Sequence, residues 1–141
     1  MQEKRKMAQV SVPTLDKFMS PLLLVLHRLG GAGTNDEMRD GVAEILRLTE
    51  DQLDVLHAAG GGTQTEVEYR LSLARRYLKK YGLLENPKPR SWKLSAKGSS
   101  VVRVNPYAVI LYYREKTWEE SMQRVNDLLP DLTDIDETMS W

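Results

Sequence analysis

The 141-residue sequence contains no cysteine. That absence excludes disulfides, a thiol nucleophile and any Cys-ligated zinc site. Long hydrophobic runs are lacking too. The most apolar stretch, PLLLVLHRL, falls far short of the about 20 residues that span a bilayer. The N-terminal MQEKRKMAQVSV is charged and has no apolar h-region, so it does not read as a secretory signal. Internal repeats and low-complexity segments are missing. The glycine clusters GGAG (30–33) and GGG (60–62) lead into no Gly-Lys-Ser/Thr, so neither is a phosphate loop. His27 and His57 are distant from each other and suggest neither a metal site nor a catalytic base. The expectation is one cytoplasmic domain with no metal or other cofactor.

Net charge is lacking as well: 20 Lys and Arg balance 20 Asp and Glu. The balance hides a segregation. Between Glu66 and Val104, ten cations face three acids. From Asp36 to Asp54, seven acids face Arg39 and Arg47, and from Glu115 to the end eight acids face Lys116 and Arg124. Charge sorted along the chain predicts a directional field, which suits a polyanionic partner.

The apolar fraction, 41%, allows a modest core. Residues 1–11 show no periodicity and read as a flexible arm. Thr14 caps a short turn. Ser20-Pro21 then reads as an N-cap with proline behind it, opening a buried helix through Leu22, Leu23, Val25, Leu26 and Leu29. Three capping boxes follow, at Thr34/Glu37, Thr49/Gln52 and Thr65/Glu68. They open a helix bearing Met38, Val42, Ile45 and Leu46, a short helix bearing Leu53, Val55 and Leu56, and a basic helix. Gly82 ends the basic helix in the left-handed region. LLEN and RSWKL then read as two strands around Pro-Lys-Pro, a hairpin. Ser95 caps one more turn. Asn105-Pro106 marks a boundary between a domain at 12–104 and a C-terminal helical extension, 105–141, with an acidic tail. Within that extension a fourth box, Thr117/Glu120, opens an amphipathic helix with Trp118, Met122, Val125 and Leu129, a surface for a homodimer.

This order of helices followed by a hairpin is that of a winged helix-turn-helix, mainly α with a small β wing (α+β). On a helical wheel Val67, Leu71, Ala74, Leu78 and Tyr81 form the core side of the basic helix. Tyr69, Ser72, Leu73, Arg75, Arg76, Lys79 and Lys80 collect opposite, and Arg70 lies at the edge. If the helix enters a major groove, Gln64, Thr65, Tyr69 and Ser72 approach base edges and Arg75 and Arg76 fork to guanine or phosphate. Lys79 and Lys80 then meet the backbone, and Lys88, Arg90 and Lys93 of the wing hold the DNA next door.

VPTLDKFMSPLL followed by TQTEVEYRLSLARRYLKKYGLLENPKPRSWKLSAKG resembles the N-terminal domain of the Mrr family of restriction endonucleases. The resemblance spans roughly residues 10–104. It rests on Val12, Pro13, Thr14, Asp16 and Pro21, then Arg70, Ala74 and Arg75. Leu78, Lys79, Lys80, Gly82 and Leu83 continue it, and Trp92, Leu94, Ser95 and Gly98 close it. Leu73 stands where the family pattern has tryptophan. No acid followed by an acid or glutamine two residues before a lysine comes after it, so the metal-dependent nuclease half of the family is not expected here. The resemblance implies a double-stranded-DNA reader, often of modified DNA, in a restriction system whose cutting activity lies in a separate domain or subunit. The alternatives are a winged helix that assembles protein complexes and a transcription regulator.

Overall fold

Three Thr-x-x-Glu/Gln boxes do what their spacing predicts. In the computed structural model, which describes residues 10–58 and 62–129, the hydroxyls of Thr34, Thr49 and Thr65 each accept from the backbone N–H three residues on. The Glu or Gln at that position reaches back to the threonine N–H. A turn at Leu15–Phe18 leads into α1 (Met19–Arg28); the chain continues through β1 (Ala32–Thr34), α2 (Asn35–Leu46), α3 (Glu50–Asp54), α4 (Glu66–Lys80), β2 (Leu84–Lys88), β3 (Ser91–Leu94) and α5 (Pro106–Leu128). Strand order in the antiparallel sheet is β1-β3-β2. This is the mainly α, winged-helix arrangement expected.

The core lies where α1, α2 and α4 meet the sheet. Phe18, Met19, Leu22, Leu23 and Leu26 are fully buried against Met38, Val42, Val67, Leu71, Ala74 and Leu78. Val109 joins them from α5, so the first turns of the C-terminal helix belong to the same core.

Four expectations change. Ser20 does not cap α1. The helix already begins at Met19, and the Ser20 hydroxyl donates to Val104 O and accepts from Val104 N at 3.2 and 3.1 Å. Thr117/Glu120 opens no helix, because it lies inside α5. That helix starts instead at Asn105, whose side chain accepts from Tyr107 N, with Pro106 at the first turn where its missing N–H costs nothing. The third strand, β1, is additional; its Gly33 pairs with Trp92. The short helix α3 stops at Asp54, so Val55 and Leu56 lie beyond it, Val55 extended and Leu56 bridged to Thr65; near the start of the chain Ser11 O accepts from Gln52 Nε2 at 3.1 Å. The rest of the arm, 1–9, and the acidic tail from 130 lie outside the described residues.

The end of α4 fixes where the hairpin goes. Gly82 takes φ +94°. Its N–H bonds Lys79 O and the Leu83 N–H reaches back to Leu78 O, both at 3.0 Å, so the last carbonyls of the helix are satisfied and the chain turns into β2. Within β2 the pairing slips between Glu85 and Lys88, where Pro87 has no N–H to give. Asn86 bridges the gap: its Nδ2 donates to Lys88 O and Ser91 O at 2.9 and 2.8 Å. Proline is tolerated here because β2 is an edge strand.

Candidate nucleic-acid interface

Two stripes run along α4 beside its buried one. Gln64 just before the helix, then Glu68, Ser72, Arg75 and Lys79, recur at three- and four-residue intervals and so share a side. Glu66, Arg70, Leu73, Tyr77 and Lys80 make the other. The first side faces the hairpin; the second faces the N-terminal segment and α5. The cations expected on one face are therefore divided between two flanks.

On the hairpin side, α4 and the wing enclose a cleft of about 350 Å³. Ser72, Arg75, Arg76 and Lys79 line it from the helix, and Asn86, Arg90 and Trp92 from the hairpin. No carboxylate is among its lining residues. It adjoins a wider hollow of about 820 Å³ that brings in Gln64, Lys88 and the start of α2. There Arg39 is held by Asp36, Asp40 and Glu68 at 3.2–3.5 Å, tying α2 to α4. Hydrogen bonds from Thr65 and Arg39 keep the Glu68 carboxyl below its ordinary range, against partial desolvation.

The structure places the remaining residues individually. Arg76, Lys79, Lys88 and Arg90 are exposed on the cleft rim. The Thr65 hydroxyl is occupied as the cap of α4. Tyr69 stacks on His57, centroids 3.7 Å apart and planes at 15°. Three cations stand away from the cleft with partners of their own. Arg70 donates to Glu66 Oε2 at 2.7 Å and to the carbonyls of Val12 and Pro13, so it fastens the N-terminal segment to α4. Lys80 pairs with Glu120 of α5. Lys93 alternates with the cleft-lining Trp92 along β3, so it lies on the opposite sheet face, 3.4 Å from Glu85.

Arg75 departs most from expectation. It is 7% exposed, almost wholly buried, where a solvent-facing cation was predicted. Its guanidinium lies 5.7 Å from the Trp92 ring centroid. Its Nε has no hydrogen-bond partner among the described residues, and burial alone pulls its pKa down, to about 10. That still leaves it charged at neutral pH. Asn35 Oδ1, at the first turn of α2 and lining both hollows, is also sealed from solvent without a partner. Nothing in the sequence spacing marks Asn35. The burial of Arg75 was visible in outline, since it lies four residues after Leu71 and three before Leu78.

Among the described residues no group of His, Asp and Glu side chains is arranged to hold a metal ion, and no helix is long and apolar enough to cross a membrane. No curated protein and no solved structure matches the chain. A family model does, from Asp16 in the opening turn to Val104, whose backbone closes on Ser20. The match covers the cleft, the wing and all of the core but Val12 and Val109, and by it the chain belongs to the Mrr N-terminal domain family, residues 16–104.

Proposed function

We propose that the protein binds double-stranded DNA through the cleft between α4 and the hairpin, as the target-recognition module of an Mrr-type, modification-dependent restriction system. Phosphodiester cleavage then falls to a separate domain or subunit. The observation that carries this reading is the cleft with four lining cations and no acid, on the side of the helix that a winged helix presents to a groove. Gln64 and Ser72 are nearest the groove floor, Arg76 forks to a base or phosphate, and Lys79, Lys88 and Arg90 meet the backbone. Arg70, Lys80 and Lys93 take structural roles instead.

Fluorescence anisotropy with a short duplex, plain and cytosine- or adenine-methylated, across a salt series tests it. Affinity should fall steeply with salt, by about 0.9 log unit per log unit for each phosphate neutralised. Lys79→Ala should weaken all sequences alike and reduce the slope by about one unit. Arg76→Ala should cost about 1–3 kcal/mol on the preferred site. No binding at low salt overturns the reading; an unchanged sequence preference in Arg76→Ala removes Arg76 from base recognition.

A second reading, self-association, rests on α5. Leu111, Trp118, Met122, Val125 and Leu129 are 39–67% exposed. From Trp118 to Val125 their intervals run four and three, Leu111 lies one heptad earlier, and Leu129 follows four residues on at the C-cap. That is the seam of a coiled coil, and its occupant is the same helix of a second copy.

A further inference from the structure

We infer that the cleft between α4 and the hairpin is a built receptor for a phosphate-class oxyanion, with Arg75 as its floor. For a duplex as the source of the phosphate this rests on the DNA reading above; the pocket itself does not. A guanidinium wants five hydrogen-bond partners or open water. Arg75 falls short on both counts: it is 7% exposed, its Nε is sealed and unpartnered, and among the described residues no charge partner offsets its desolvation, while the rest of the guanidinium faces the cleft. A buried, unpaired charge is among the least tolerable features of a folded chain, and it becomes favourable when an opposite charge completes it. Arginines in cores ordinarily bring a carboxylate with them. Here the carboxylates that line the wider hollow, Asp36 and Glu68, both pair with Arg39.

The surroundings specify the missing partner. Arg76, Lys79 and Arg90 stand around the opening, so the cleft is adapted to more than one negative charge. A guanidinium presents paired N–H groups that match two oxygens of one phosphate. Trp92 supports the guanidinium plane from the hairpin side. Asn35 Oδ1 gives a ligand hydroxyl or an ordered water a place to donate. The ligand thus joins α4 and the wing through a group rooted in the core. A backbone phosphate of DNA and a small phosphorylated molecule share this chemistry.

The test is a titration of the intact protein followed by the arginine Nε–Hε signals in nitrogen-15 NMR. The Arg75 signal is assigned by its loss in Arg75→Lys. Inorganic phosphate is added at ionic strength held constant with chloride, and a short duplex is added separately. The expected result is a saturable movement of the Arg75 signal with phosphate and with duplex. Arg75→Lys, which keeps the charge and loses the fork, should bind phosphate about tenfold more weakly, read from the Ser72 and Arg90 backbone amides. Movement with phosphate but not with a duplex assigns the pocket to a small phosphorylated ligand. If Arg75 moves with neither, the inference fails, and the DNA reading survives when anisotropy still shows duplex binding. If Arg75→Lys does not fold, the signal is assigned instead by its through-bond connection to the Arg75 backbone, and the titration of the parent decides alone.

Discussion

Arg90 stands at the wing tip with φ 62°, in the left-handed region that a non-glycine residue enters at a cost of about 1 kcal/mol. Pro89 before it sets the turn, and the Arg90 carbonyl accepts from Asn35 N at 3.1 Å, so the strained residue also ties the wing to α2. Its side chain lines the cleft. Glycine would relieve the backbone and remove the cation. Arg90→Gly is therefore expected to raise the melting temperature by a few degrees while weakening duplex binding. Arg90→Lys should change the melting temperature little and retain most of the affinity. If Arg90→Gly lowers both quantities, the strain is not where the dihedral angle places it. Other residues explain family motif positions that the sequence identified without a reason. Gly98 is glycine because a Cβ there would stand 2.0 Å from Leu83 O. Ser95 accepts from Gly98 N at 2.9 Å and donates to Gly82 O, locking the end of the wing onto the end of α4. Arg75 shows charge overriding position in a sequence reading: charge suggested solvent, while its place four residues after Leu71 and three before Leu78, under the hairpin, decided burial.

Among elements, α4 is the one most readable from sequence. Its cap, its apolar stripe and its terminal glycine are local signals that tertiary contacts had no cause to override. The strand β1 left no such trace. Ala-Gly-Thr has no period-two pattern, and it is extended because β3 pairs with it. The Thr117/Glu120 box misled because the same four-residue spacing is compatible with a helix interior; Asn105 and Pro106 hold the actual start. The first turn of α4 also carries a charge relay to its neighbours. His57 Nδ1 lies 2.9 Å from Glu66 Oε1, and Arg70 holds the other oxygen. The hydrogen bond from His57, then that from Arg70, keeps the Glu66 carboxyl below its ordinary range, against desolvation. A carboxylate whose folded pKa is depressed adds stability above its unfolded pKa and loses it as pH falls through the folded value. The urea midpoint should therefore drop as pH is lowered from about 5. In Glu66→Gln that acid limb should be shallower and the midpoint at neutral pH lower. An identical pH profile in the variant would remove Glu66 from the acid response.

At the scale of the molecule, a chain of zero net charge carries a local field: acids on α2 and α3, cations on α4 and the wing, and a nearly balanced α5 with four acids against three cations. On the proposed reading such a field admits a polyanion in one orientation, and Lys80 paired with Glu120 shows α5 closing one flank of α4. That flank is where α5 leaves the core, its apolar stripe turned outward. If two copies join along it, each dimer presents two clefts, and a duplex that reaches both gains affinity through effective concentration rather than new contacts, by about 10²–10⁴. A duplex of about one helical turn has room for a single cleft, and a series of longer duplexes finds the length that reaches both. The parent should then sediment as a dimer and bind the longer duplex more tightly than the doubled number of sites explains. Trp118→Ala, which removes a side chain 67% exposed and so leaves the fold intact, should yield monomers, abolish the excess for the long duplex and leave the short one unaffected. Should the variant sediment like the parent, the interface lies elsewhere. Should it lose affinity for both duplexes equally, α5 acts on the cleft itself, through the contacts of Tyr113 with Tyr77 and of Glu120 with Lys80.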